Sequence, residues 1–168
     1  MKKIITLITI LALLVLPTAF AATSVTTVHD FEIRFAAAAL ITESGHYLNG
    51  SNENRNGGEV NDVIQANYNE SELLQLSVTH GTEDVVSILA MYLPDGDSNH
   101  AADYILLISE ALFAAGITDS TTDTGDIFER LGMMTNLDDG AQNKITINGV
   151  NVGYMVSSSI GIWFYIEV

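Results

Sequence analysis

No cysteine occurs anywhere in the 168 residues. Disulfide-stapled scaffolds, thiolate metal sites and cysteine nucleophiles are excluded with it, and so is the lipid anchor that a bacterial lipoprotein carries on cysteine. The core must therefore suffice alone. Basic residues are scarce as well: Lys and Arg number 6 against 21 Asp and Glu. Affinity for phosphates comes from Lys and Arg, so the composition argues against nucleic acid and anionic membranes as partners. The chain also lacks Gly-x-Ser-x-Gly, a phosphate-binding glycine loop, His-Glu-x-x-His and a dinucleotide fingerprint, which weakens every enzymatic reading and leaves no cofactor implied.

A long apolar run is missing too. The mostly apolar stretch from Ile4 to Leu16 stops at Pro17, short of the about 20 residues that a membrane span takes. With Lys2 and Lys3 before it and Ala19-Phe20-Ala21 after it, the order is that of a secretory signal peptide, residues 1–21, cleaved after Ala21. Residues 22–168 are then one domain, large enough to bury a core and without a membrane span. Cleavage removes two lysines and no acid, leaving 4 basic against 21 acidic residues and a formal charge of −17 where the precursor has −15. Such a charge keeps an exported protein dispersed, in a periplasm or outside the cell. It also suits a basic partner, provided that acids such as Asp119, Asp123, Asp126, Asp138 and Asp139 gather at one end of the fold.

The pattern after Ala21 alternates helices with runs of strands. Thr27 and Asp30 make a capping arrangement for a helix reaching about Ile41, with Val28, Phe31, Phe35, Ala38 and Ala39 on one face and Ile33 and Leu40 nearly opposite. From Asn49 to Gly58 the chain is polar and without period, which reads as a loop. Asn49-Gly50-Ser51 and Asn69-Glu70-Ser71 fit the glycosylation sequon. Three strands follow, Val60 to Tyr68, Leu73 to His80 and Val85 to Tyr92, the middle one alternating apolar and polar residues as a strand with one wet face does.

Asp97 or Ser98 caps a second helix that Gly116 ends. Its residues are apolar on nearly every side, leaving a polar strip near Asn99, Asp103 and Glu110, so it is buried on more than one side or covered by a partner. A short helix carries Ile127, Phe128 and Leu131 inward and stops at Gly132. Asn148-Gly149 then closes a two-residue hairpin. Ile162 to Ile166 reads as a strand buried on both faces, making this C-terminal meander the centre of the sheet. The sum is α+β: an antiparallel sheet of about five strands with helices packed mainly on one face, a mixed sheet being the second choice.

Candidate site residues are few. Asp95-Gly96-Asp97-Ser98-Asn99 places Asp95, Asp97 and Asn99 at the first, third and fifth ligand positions of a calcium loop. The match stops there, because His100 stands where the loop glycine belongs and Leu106 where the bidentate glutamate belongs, and a turn followed by an N-cap uses the same residue types. His29, His46, His80 and His100 fall in separate elements and read as surface or capping residues. Trp163 and Tyr165 share a strand face and could stack on sugar rings, but residues of this size are more often core. The expectation is an exported, acidic domain without cofactor that binds another protein and is not an enzyme. Behind it stand a small secreted hydrolase using carboxylates and a histidine such as His80, and a structural component of the envelope.

Overall fold

The computed structural model describes residues 24–48, 53–68, 70–135 and 137–168. The signal peptide and both sequon asparagines lie outside the described residues. In chain order the elements are β1 (Thr26–Thr27), α1 (Val28–Thr42), β2 (Glu53–Asn56), β3 (Asn61–Tyr68), β4 (Glu72–Thr79), β5 (Asp84–Tyr92), α2 (Ser98–Ala114), α3 (Thr124–Leu131), β6 (Gln142–Ile147), β7 (Val150–Ser157) and β8 (Gly161–Glu167). The fold is α+β, and every strand pairing is antiparallel, in the order β2-β3-β4-β5-β8-β7-β6 with β1 added against β5.

Eight strands stand where about five were expected. The two additional N-terminal pieces explain part of the difference. Glu53–Asn56 has no apolar residue, yet it pairs with Val63 to Ala66 of β3 and turns part of the expected loop into an edge strand. Backbone hydrogen bonds and the ion pair of Arg55 with Glu32 of α1, at 2.6 Å, hold this edge, so no apolar period announces it. Thr26–Thr27 is likewise too short to show a period. The C-terminal meander does enter the middle of the sheet, because β8 inserts between β5 and β7. The turn after Ile147 takes positive φ at both Asn148 (52°) and Gly149 (85°), as a two-residue hairpin demands.

β8 is not buried on both faces. Phe164 and Ile166 are buried, while Trp163 and Tyr165 are only half-buried. The same alternation marks β4, where Glu72, Leu74, Leu76 and Val78 are buried and Leu73, Gln75, Ser77 and Thr79 are not. The buried side chains of the sheet form one core with Phe31 and Phe35 of α1, Leu107, Ile108 and Leu112 of α2, and Phe128 and Leu131 of α3. Individual contacts show the fit. The Phe128 ring meets Phe164 edge-on at 6.3 Å, the Tyr104 hydroxyl donates to the Ala90 carbonyl at 3.0 Å, and the Asn143 amide donates to the Leu131 carbonyl at 3.0 Å. Thr27 caps α1 through the Asp30 N–H, and Asp97 caps α2 through the Asn99 N–H.

Candidate functional site

Two arrangements of side chains rise above packing. The first is buried. Glu110 lies in the middle of α2, and burial there is complete (0% exposed), although the helical pattern had put it on the polar strip. A carboxylate inside a core needs partners. Glu110 has two: the Thr42 hydroxyl at the end of α1 donates to Oε1, and Nδ1 of His46 lies 2.8 Å from Oε2. One proton is shared between Nδ1 and Oε2 in that hydrogen bond, and Nε2 faces the other way. There, 3.7 Å off, is Glu72 Oε2 at the start of β4. The Tyr68 ring packs on the imidazole at 4.9 Å. His46 is thus a buried bridge between helix and sheet, where a surface histidine was expected.

Glu72 also borders a second, more exposed group. Its neighbour Ser71 donates to Asp95 Oδ2 at 3.2 Å, and the same Oδ2 meets His100 Nδ1 at 2.5 Å. The Asp97 N–H beside Asp95, and next the His100 imidazole, hold the Asp95 carboxyl down at about 2. His100 is raised in turn, chiefly by Asp95. The negative field of Glu72 acts on Tyr92, His100 and Tyr104 together.

The chemistry these groups can do is limited by geometry. Ser71, Asp95 and His100 have the residue types of a nucleophilic triad, but Ser71 and Asp95 both address Nδ1. A triad needs the serine on one ring nitrogen and the carboxylate on the other. His46 and its two glutamates are shut inside the core, without access for a substrate. His80 pairs with Asp62 at 2.8 Å, and Asp62 lines a cleft of about 280 Å³ with Arg55, Asn56, Gly57, Thr82 and Glu83. Among the described residues no serine or lysine lines that cleft.

The predicted calcium ligands follow one another through two successive turns. Asp95 Oδ1 accepts from the Asp97 N–H at 2.9 Å, and Asp97 Oδ1 accepts from the Asn99 N–H at 2.8 Å. Among the described residues no group of three or more His, Asp or Glu is arranged to hold a metal ion. The five acids considered for a basic partner divide into two sets. Asp119, Asp123 and Asp126 line a depression with Arg130 and Ile147, at the end of β6. Asp138 and Asp139 precede its start, where Asp139 accepts from the Ser158 N–H at 2.7 Å. A strand of six residues, about 20 Å, lies between the sets.

The second arrangement is a face of the sheet. Register and alternation put three rows of side chains on the side opposite Leu74 and Phe164. One row reads Gln142, Met155, Trp163, Met91, Leu73, Asn67. The next reads Lys144, Gly153, Tyr165, Leu89, Gln75, Gln65, Asn54, and the third reads Thr146, Asn151, Glu167, Ser87, Ser77, Val63, Asn56. Their only charged members are Lys144 and Glu167. None of Leu73, Leu89, Met91, Met155, Trp163 and Tyr165 belongs to the core. Tyr165 reaches over Gly153, where a Cβ would come within 2.5 Å of its Cζ and hydroxyl and 2.8 Å of the Asn143 carbonyl oxygen. The Trp163 indole is anchored by its N–H donating to the Ile160 carbonyl at 2.9 Å. The larger aromatics of β8, expected in the core, therefore line the second face.

Comparison with protein-family models, with curated proteins and with solved structures finds no match for the chain. Among the described residues no helix is long and apolar enough to cross a membrane.

Proposed function

We propose that the chain is an exported, non-enzymatic binding domain that holds another protein against the sheet face bearing Trp163 and Tyr165. We infer further that all three helices lie on the Leu74 side, which leaves that face open. Charge is the observation that carries the reading. A chain with 21 acids keeps a single one, Glu167, in three rows that each cross six or seven strands, and fills their centre with Trp, Tyr, Met and Leu. Depletion of charge with enrichment in Trp, Tyr and Met is the composition of an interface core, whereas solubility alone would have the acids spread everywhere. Three acid–histidine groups give the hydrolase reading its residue types, and the His80–Asp62 pair, whose carboxylate lines a cleft, keeps it as the second reading. The reading assigns no cofactor, and no calcium to Asp95, Asp97 and Asn99.

The test immobilises residues 22–168 and exposes them to an extract of the native envelope, comparing the wild type with Leu89→Lys. A half-buried face residue accepts lysine without entering the core. A protein retained by the wild type and lost with Leu89→Lys is the expected result, and retention indifferent to that substitution would sink the assignment of the face. Export is read separately, by mass spectrometry of the secreted product, which should begin at Ala22.

A further inference from the structure

We infer that the partner this face accepts is a second copy of the same chain, packed sheet against sheet. The inference rests on the face being a protein-binding surface, and two observations choose the occupant. The first is area. Seven strands spaced about 4.8 Å apart, crossed by three rows about 7 Å apart, give a footprint of roughly 600 to 700 Å² per copy. A standard interface buries about 800 Å² per partner, or about 1,200 to 2,000 Å² in total, so the face approaches that size and supports a dimer at the weak end of the range.

The second observation is charge complementarity. A two-fold interface puts the same patch on both sides, so the patch must complement itself. With one cation and one anion the rows do so. Lys144 stands on edge strand β6, and Glu167 stands two strands inward and one row further on, about 12 Å away. A two-fold axis in the plane between the sheets, passing midway between these two residues near Gly153 and Asn151, sets each Lys144 against Glu167 of the other copy and crosses the strands of the two sheets, so that the β6–β7–β8–β5 part of the face is the part buried. Elsewhere the exported chain sets 20 acids against three arginines, so the rest of its surface is much less able to complement itself. Trp163, Met91 and Leu89, at the centre of the face, supply the apolar contact, with sheets about 10 Å apart.

The charge also fixes the sign of the salt effect. Two chains of −17 repel at long range, and salt screens that repulsion, so the dimer tightens as salt rises. A basic partner would bind less tightly under the same change.

The experiment is sedimentation equilibrium of the exported chain, residues 22–168, at about 50 mM and about 300 mM NaCl, where the screening length falls from roughly 14 to 6 Å. We expect a monomer–dimer equilibrium whose Kd falls with salt. Lys144→Glu and Glu167→Lys should each raise Kd by about 10-fold, and the doubly swapped protein should return to within about 3-fold of wild type. Leu89→Lys should leave a folded monomer, checked by an unchanged melting curve. A wild type that stays monomeric at about 100 µM overturns the inference, as does a dimer that survives Leu89→Lys or that loosens with salt. If the monomer instead loses an envelope partner through Leu89→Lys, only the choice of occupant fails. If that capture is unaffected, the protein-binding face fails as well. Retention of the monomer on a neutral polysaccharide, abolished by Trp163→Ala, would also overturn the inference and assign the face to sugar.

Discussion

At the scale of single residues, the buried bridge from Glu110 through His46 to Glu72 is the feature hardest to reach from sequence. His46 sits in a polar segment, Glu72 opens a strand, and Glu110 falls on a helix whose period put it outward. Only the fold brings positions 26 and 64 residues away to His46. The one sign available was a lone carboxylate within Leu106 to Ala115, a stretch otherwise almost without polar side chains. Removing one member of a buried, hydrogen-bonded pair leaves the other uncompensated, which costs about 3 to 5 kcal/mol. His46→Ala and Glu110→Ala should each lose about that much in urea unfolding. The double variant should lose clearly less than the two losses added, because the second removal also takes away the group stranded by the first. Additive losses would mean that the two side chains pack without depending on each other.

Asp95 and His100 give a prediction in pH. The Asp95 carboxyl is lowered from 3.8 to about 2, so its share of stability is complete above about 4 and disappears as pH falls towards 2. His100 is raised from 6.5, so its share is complete below 6.5 and disappears as pH rises through its higher folded value. The stability lost on Asp95→Asn should therefore be greatest between about pH 4 and 6.5. It should narrow above that window without vanishing, since the Asp97 N–H still favours the Asp95 carboxylate there. An NMR titration supplies the check: the His100 midpoint should move down in Asp95→Asn, and an unmoved midpoint would deny the pair.

At the scale of elements, much was legible because the signals were local. The alternation in Leu73 to Thr79, the Asn148-Gly149 turn, the caps at Thr27 and Asp97 and the stop at Gly132 each depend on a few adjacent residues, and the structure has all of them. The two faces of β8 were not legible, since Ile162 to Ile166 is apolar throughout and a continuous apolar run has no period to separate core from surface. The core face can be tested directly. Phe164 is 1% exposed and meets Phe128 edge-on, so Phe164→Ala should cost about 3 to 5 kcal/mol through lost transfer energy and the cavity left behind. Trp163→Ala, one residue away on the other face, should cost much less in the monomer. Equal losses would mean that both faces of β8 are covered. Gly161 fixes where this strand begins, since its φ is 89° and a Cβ would come within 2.1 Å of the Tyr92 carbonyl oxygen.

At the scale of the whole molecule, composition states how much charge there is and the fold decides where it stands. The acids leave the Trp163 face almost bare. Five of them stand in two separate groups, Asp119, Asp123 and Asp126 beyond the end of β6 and Asp138 and Asp139 before its start. Like charges so arranged repel within each group more than between them, because at physiological salt the screening length of about 8 Å is shorter than the strand between the groups. The compact state therefore bears a self-repulsion that unfolding relieves, and salt should offset it. In calorimetry of the monomeric Leu89→Lys variant, the melting temperature should rise by several degrees as NaCl goes from about 10 to 150 mM, over which the screening length falls from roughly 30 to 8 Å. Replacing Asp119 and Asp123 by Asn should raise the melting temperature at low salt and shrink the gain from added salt. Asp126 is left in place for this purpose, since it lies in the first turn of α3, where a negative charge favours the helix, and one turn before Arg130. A melting temperature that ignores salt would mean that the acids are already compensated where they stand, and the repulsion invoked between copies would lose its source.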